Sequence, residues 1–316
     1  MQQQSFDALC AYLKRTSGLI LDQSKQYLIE SRVLPIVKRE KLGGLADLVL
    51  ILERGQNQSL AKEVVEAMTI NETYFFRDRN PFDKFRDVVL PKLISARQSE
   101  RSIRVWCAAA STGQEPYSLA MILDEMAHKM PGWRVELVAT DLAEPQLTKA
   151  RAAVYTQFEV QRGLSTAHLL RYFTQQGDTW QAIDALRSKV QFRQLNLLSD
   201  YASLGRFDVI FCRNVLIYFD VATKSDILKR MARILAPDGA LFLGASESVI
   251  GLGTDFAPDT EHRAFHTRGG VGAALGQPIK TPVIGTAAAP VGGLAARPIL
   301  PTPAAQSPLG SRIATR

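Results

Sequence analysis

The chain has 316 residues, 46% of them hydrophobic, with a formal charge of +7 and a pI near 9.4. That length allows two ordinary domains, no apolar run approaches the roughly 20 residues that span a bilayer, and the start M-Q-Q-Q-S-F-D lacks the basic and apolar regions of a signal peptide, so a cytoplasmic protein is expected. Cys10, Cys107 and Cys212 are too few and too scattered for a disulfide framework or a metal-ligand set, and no metal is expected.

Residues 1–70 read as an all-helical domain of four short helices. Phe6, Leu9, Cys10 and Leu13 fall at i, i+3, i+4 and i+7, and Leu60, Val64 and Met68 recur every fourth residue. Gly43-Gly44 separates a helix over 24–42 from one over 45–54, and Pro35 should kink the former after Ser31. A linker over 71–82 follows. From residue 83 to 268 helices alternate with strands: helix 83–97, strand 103–107, helix 115–129, strand 134–140, helix 144–151, strand 207–212, helix 221–235, and strands near 240–244 and 262–267. Such alternation predicts a parallel sheet covered by helices on both faces. The stretch 155–190 breaks the rhythm and reads as an inserted subdomain, with a helix near Ala167–Tyr172 and an alternating tract at 179–184 around the turn residue Gly177. Residues 269–316 hold 7 of the 15 prolines, 8 of the 21 glycines and four basic residues without an acid, and read as a disordered tail. Those four charges leave the first 268 residues at only +3.

In a doubly wound sheet the ligand lies at the carboxyl ends of the strands, beside the switch in strand order. Four segments place polar groups there. In V-W-C-A-A-A-S-T-G-Q-E-P-Y-S a buried strand runs through a turn of small residues into a helix start at Glu115, which leaves bare backbone and a helix N-terminus for a ligand. The turn lacks G-x-G-x-x-G, so it is not an ordinary dinucleotide site. Asp141 ends V-E-L-V-A-T-D, Asn196 stands in Q-L-N-L-L, and Arg213-Asn214 follow the apolar strand of F-D-V-I-F-C-R-N. A fifth segment, M-T-I-N-E-T-Y-F-F-R-D, precedes the sheet and sets polar Asn71, Thr73 and Arg77 among aromatic residues that pack inward.

Taken in order, I-N-E-T-Y-F-F-R, A-A-A-S-T-G-Q-E-P-Y-S, A-T-D, N-L and F-C-R-N-V-L-I-Y-F-D resemble the CheR family of chemotaxis-receptor methyltransferases over about residues 5–268. The resemblance implies a Rossmann-like, class I S-adenosylmethionine-dependent α/β fold with a small N-terminal helical domain and a small inserted β-subdomain. It implies methyl transfer to receptor glutamates, with Asn71, Thr73, Arg77, Glu115, Asp141, Asn196, Leu197, Arg213 and Asn214 contacting the cofactor. Asp141 would suit the ribose hydroxyls, Asn196 and Leu197 the adenine edge, and Glu115, Arg213 and Asn214 the methionine end. Two departures stand out: Gln114 where many relatives have Glu, and Ala245 where His is frequent.

A glutamate with a reference pKa of ~4.3 is already ionised at neutral pH, so methyl transfer needs no general base. Arg77, and next Tyr218, are the candidates for orienting it. Lys25, Arg32 and Arg39 recur every seven residues and form a candidate basic row for the acidic, helical methylation region of a receptor. A monomer that neither enters the membrane nor binds nucleic acid is expected. Two other functions share the pattern: a non-catalytic, cofactor-responsive scaffold of a chemosensory pathway, and a nucleic-acid methyltransferase. The +3 charge of the folded part and the absence of an N/D-P-P-Y motif speak against the latter.

Overall fold

A computed structural model describes residues 3–269; the tail expected to be disordered lies, from residue 270 onward, outside the described residues. The helical domain consists of α1 (Gln3–Ser17), α2 (Gln26–Arg32), α3 (Leu34–Arg39), α4 (Leu45–Glu53) and α5 (Gln58–Met68). Five helices replace the expected four because the 24–42 segment is divided at Val33, next to Leu34 and Pro35, which occupy the first turn of α3. Phe6, Leu9, Leu13, Ile29, Leu48, Val64 and Met68 close a core of their own. Of the apolar positions spaced at helical period, all are buried but Cys10, which is half-buried at the edge of this face.

Past the linker, α6 (Asn80–Lys84) passes through one π turn (Phe85–Val89) into α7 (Leu90–Ala96). The remaining elements of the main layer are β1 (Ser102–Ala108), α8 (Gln114–Glu125), β2 (Arg134–Asp141) and α9 (Glu144–Ala152). The insertion then builds β3 (Val154–Thr156), α10 (Gln157–Gln161), α11 (Thr166–Tyr172), β4 (Phe173–Gln176), β5 (Thr179–Ala182) and α12 (Asp184–Arg187). The chain returns through β6 (Val190–Gln194), β7 (Phe207–Cys212), α13 (Val221–Ile234), β8 (Leu235–Leu243), β9 (Phe256–Pro258) and β10 (His266–Arg268).

Seven strands form the main sheet in the order β6-β2-β1-β7-β8-β10-β9. The first five are parallel, and β10 is antiparallel to both of its neighbours. The order reverses between β1 and β7, which sets a crevice at their carboxyl ends. Buried residues on both faces account for the apolar runs: Ile103, Val105 and Cys107 of β1 face one core, Trp106 and Ala108 the other. Trp106 is fully buried, lies near-parallel to Phe207 with ring centroids 5.7 Å apart, and donates its indole N–H to Thr140. The insertion is a three-stranded antiparallel sheet, β3-β5-β4, whose hairpin turns at Gly177. The α/β class, the helical N-terminal domain and the β-subdomain thus stand as expected. Strands β6 and β9 were missing from the sequence reading, and the strand placed at 262–267 is confined to β10, His266–Arg268.

His266 of β10 is 8% exposed, and its Nδ1 is buried without a partner among the described residues. Burial lowers its pKa below the ordinary 6.5, while its hydrogen bond with the Leu241 backbone acts the other way. The unfolded chain therefore takes up a proton in a window just below pH 6.5 in which the folded chain does not, so stability falls as pH drops through that window, by at most about 1.4 kcal/mol per pH unit. Thermal melts of wild type and His266→Leu between pH 7.5 and 5.5 should show a shallower pH slope in the variant. Parallel slopes would remove His266 as the source.

Candidate functional site

The crevice holds a cleft open to solvent, at the place where sheets of this topology receive small-molecule ligands. Its walls come from seven places in the chain. The loop after β1 gives Ala109 and Ser111, the start of α8 Glu115, and the end of β2 Asp141 and Leu142. The end of β6 gives Leu195, Asn196 and Leu197, and the segment after β7 gives Arg213, Asn214, Val215, Tyr218 and Phe219. The linker adds Thr69 to Thr73 and Arg77, and the end of α1 adds Ser17 and Leu19. All nine residues expected to contact a cofactor, and Tyr218, line this one cleft.

Several of these positions hold strained backbone. Ala109 (φ +59°), Ser111 (+49°) and Asn214 (+58°) are left-handed, as are Phe76 (+49°), Asp78 (+67°) and Arg79 (+44°) in and after the linker. Each costs on the order of 1 kcal/mol, and such residues cluster where structure serves a ligand. The Ser111 conformation has a visible result: its N–H donates to Asp141 (2.8 Å) and its hydroxyl to the Asn71 carbonyl (2.9 Å). Close packing also fixes the linker. A Cβ on Gly163, at φ +102°, would lie 1.8 Å from the Phe75 carbonyl oxygen, so only glycine lets the insertion approach it.

Asp141 accepts from Ser111 through one oxygen and from the Ala143 N–H through the other (2.9 Å). Burial raises its carboxyl pKa, and these backbone donors pull it back. Each oxygen retains a lone pair for a hydroxyl donor. Arg213, with a fully buried side chain, donates to Glu115 (2.7 Å), to Asp78 (2.7 Å) and to the Arg77 carbonyl (2.9 Å). Its Nε is buried and has no partner among the described residues. Glu115 also accepts from the Cys107 thiol (3.2 Å), whose pKa is pushed well up by burial and by that carboxylate.

Two expectations are corrected here. The Asn196 amide does not stand free for a base edge: its oxygen accepts from the Leu198 N–H, and its nitrogen donates to Thr16 at the end of α1 (2.7 Å). The expected basic row does not form either. Lys25 ends a 3-10 turn, whereas Arg32 and Arg39 belong to α2 and α3, so no single helix aligns them. Arg32 turns inward to the Ala67 and Thr69 carbonyls, where its charge caps the negative end of α5. Arg39 is held by Glu63 and Glu40, and Lys25 lies 4.0 Å from Asp22.

Sequence reasoning missed Ser17, Leu19, Ile70 and Phe219 in the wall, and Asp78 behind Arg213. Gly18 was the available signal for the first two. It adopts φ +78°, and a Cβ there would strike the Phe219 ring at 2.7 Å. The end of α1 is further tied to the sheet by Ile20 N–H donating to the Tyr218 carbonyl and by the Lys14–Asp220 ion pair (2.8 Å).

The donor set suits a nucleoside joined to an amino acid. Asp141 offers acceptors for a diol, Glu115, held by the buried Arg213, offers a carboxylate at the start of α8, and Leu19, Leu142, Leu197 and Phe219 offer apolar surface for a flat ring. Comparison with known proteins agrees. Residues 71–263 match the family described as CheR methyltransferase, SAM binding domain, and residues 4–69 its all-alpha domain. The chain is 46% identical over 251 residues to chemotaxis protein methyltransferase 1 of Pseudomonas aeruginosa, covering 78% of this chain and 91% of that one. It is 42% identical over 259 residues to chemotaxis protein methyltransferase 1 of Vibrio cholerae, covering 81% and 93%. With both of its domains matched, the chain belongs to the CheR methyltransferase family.

Proposed function

We propose that the chain transfers a methyl group to glutamate side chains of chemoreceptors, forming methyl esters. S-adenosylmethionine would supply the methyl on a sulfonium centre, leaving S-adenosylhomocysteine. The observation that carries this reading is the gathering of ten residues from five sequence segments around one cleft. Asp141 would hold the ribose hydroxyls, and Arg213 would shape the methionine end through the Glu115 carboxylate and the Arg77 carbonyl that it holds. Asn71, Thr73 and Asn214 complete the polar wall. Leu197 and Leu142 offer the adenine apolar contact, and Asn196 acts by fixing the turn that carries Leu197.

Arg77 and Tyr218 serve the substrate. Arg77 donates to the Glu72 carbonyl (2.7 Å) and lies over the Tyr74 ring, so the linker holds its guanidinium at the cleft. Burial raises the Tyr218 pKa while Arg77 works against the shift, which leaves a protonated phenol that can donate to a carboxylate. These two orient a glutamate that is already ionised, and the walls exclude water from it. Receptor docking on the helical domain would fall to Lys25 and Arg39, with Arg32 withdrawn to α5.

Incubation with methyl-labelled S-adenosylmethionine and chemoreceptor-bearing membranes should put label on the receptor in a form released by mild base, as a carboxylate ester requires. Base-stable label, or none, would overturn the glutamate assignment.

A further inference from the structure

Glu247 lies outside the cleft wall, four residues past the end of β8, and no role described above uses it. Its carboxylate is surrounded by backbone donors. One oxygen accepts from the N–H groups of Val215 (2.9 Å), Leu216 (2.7 Å) and Ile217 (3.3 Å), and the other from Asn214 (2.8 Å) and Gly244 (2.7 Å). A carboxylate has about four lone-pair sites, so these five donors saturate it. Four of the five belong to consecutive residues of the segment that carries Asn214, Val215 and Tyr218 to the cleft. Asn214 is left-handed there, a conformation that needs support from its surroundings. Gly244 makes room for the clamp: a Cβ on it would stand 2.8 Å from the Glu247 carboxylate and 2.9 Å from the Asn214 nitrogen.

We infer that Glu247 is a positioning residue, which holds the segment after β7 in the shape that presents Asn214 and Tyr218 to cofactor and substrate. The inference rests on the cofactor reading above. A carboxylate is the side chain that can do this, because it is acceptor-only at both ends. Glutamine of the same length must turn an NH₂ group toward one set of backbone N–H groups, leaving those donors unpaired and opposed.

The test is S-adenosylhomocysteine binding by calorimetry, together with KM and kcat for methyl transfer, on the full chain. Glu247→Gln should weaken binding by about tenfold or more and lower kcat, with hydrogen exchange quickened at residues 214–217. Leu93→Ala, in a buried position on α7 in the core of the opposite sheet face, serves as a destabilised control; its melting temperature should also fall, but its affinity should stay within about twofold of wild type. The inference is overturned if folded Glu247→Gln binds and turns over within twofold of wild type, or loses no more affinity than the control. Should Glu247→Gln not fold, Glu247→Asp decides: the charge remains but the side chain is one methylene short, so affinity should fall several-fold, and wild-type affinity would overturn the assignment. Wild type that fails to bind S-adenosylhomocysteine would instead bring down the cofactor reading, and this assignment with it.

Discussion

Arg213→Ala is expected to cost about 3–5 kcal/mol of folding stability and to abolish cofactor binding. The first effect follows from what remains. Arg213 has no exposed side-chain surface, and it neutralises Glu115, whose side chain is 10% exposed, and Asp78, which is 35% exposed. Asp78 can recover hydration; Glu115 cannot. A domain typically unfolds at 5–15 kcal/mol, so the loss takes a large share of the total and should lower the melting temperature by about 10 °C. The second effect follows from its neighbours: Arg213 fixes Glu115 and the Arg77 carbonyl in the cleft wall, so its loss disorders the wall that would receive the methionine end. The two effects separate in a double variant. Arg213→Met with Glu115→Leu removes both members of the nearly buried pair, which in other proteins is neutral or stabilising, so most of the lost stability should return while binding stays absent. Thermal melts and calorimetry with S-adenosylhomocysteine check both halves. A melting temperature within about 2 °C of wild type for Arg213→Ala would show that the ion triad contributes little.

The parts of the molecule legible in the sequence are those governed by local pattern. Strands β1, β2 and β7 are buried on both faces over their carboxyl halves and so read there as apolar runs, V-W-C-A, L-V-A and V-I-F-C, and their ends name the crevice. Strand β6 escaped because V-Q-F-R-Q, at the edge of the sheet, buries only Val190 and half-buries Phe192. That pattern has too few apolar positions to register. The ten cleft residues were accessible because each stands where a strand or linker delivers it. Their partners were not. Whether an amide or a guanidinium is free depends on atoms far away in the chain, such as the Thr16 carbonyl that takes Asn196, 180 positions on, or the α5 carbonyls that take Arg32. The seven-residue spacing of Lys25, Arg32 and Arg39 assumed one continuous helix, and the division at Val33 removes the assumption. Glu247 shows the same limit from the other side. G-A-S-E has no periodicity to mark it, and the residue matters only because the backbone of 214–217 folds over it.

Arg77→Ala is expected to lower kcat by about 10²-fold, the scale of a misaligned reacting pair, while S-adenosylhomocysteine affinity changes by less than about threefold. Methyl transfer to an ionised carboxylate has no proton to move, so the rate depends on holding one carboxylate oxygen in line with the methyl group and free of water. Arg77 can do this because the Glu72 carbonyl anchors its guanidinium at the cleft. Arg162 supports the same arrangement by pairing with the Glu72 carboxylate (2.8 Å) and lying over the Tyr74 ring at 4.1 Å. The charge must not do too much. A guanidinium paired fully with the glutamate would stabilise the ground state and blunt the nucleophile, whereas one engaged on one side by the linker presents only part of its fork. Arg77→Lys therefore discriminates between the two descriptions. If charge alone mattered, lysine would restore kcat; if orientation matters, its single ammonium on a flexible stem should recover only a small part of the loss. Tyr218→Phe, removing one hydroxyl donor, should have a smaller effect, about tenfold on kcat. Steady-state kinetics at saturating cofactor, with receptor concentration varied, separate these outcomes, and an Arg77→Ala enzyme with nearly full kcat would transfer the orienting role to Tyr218 alone.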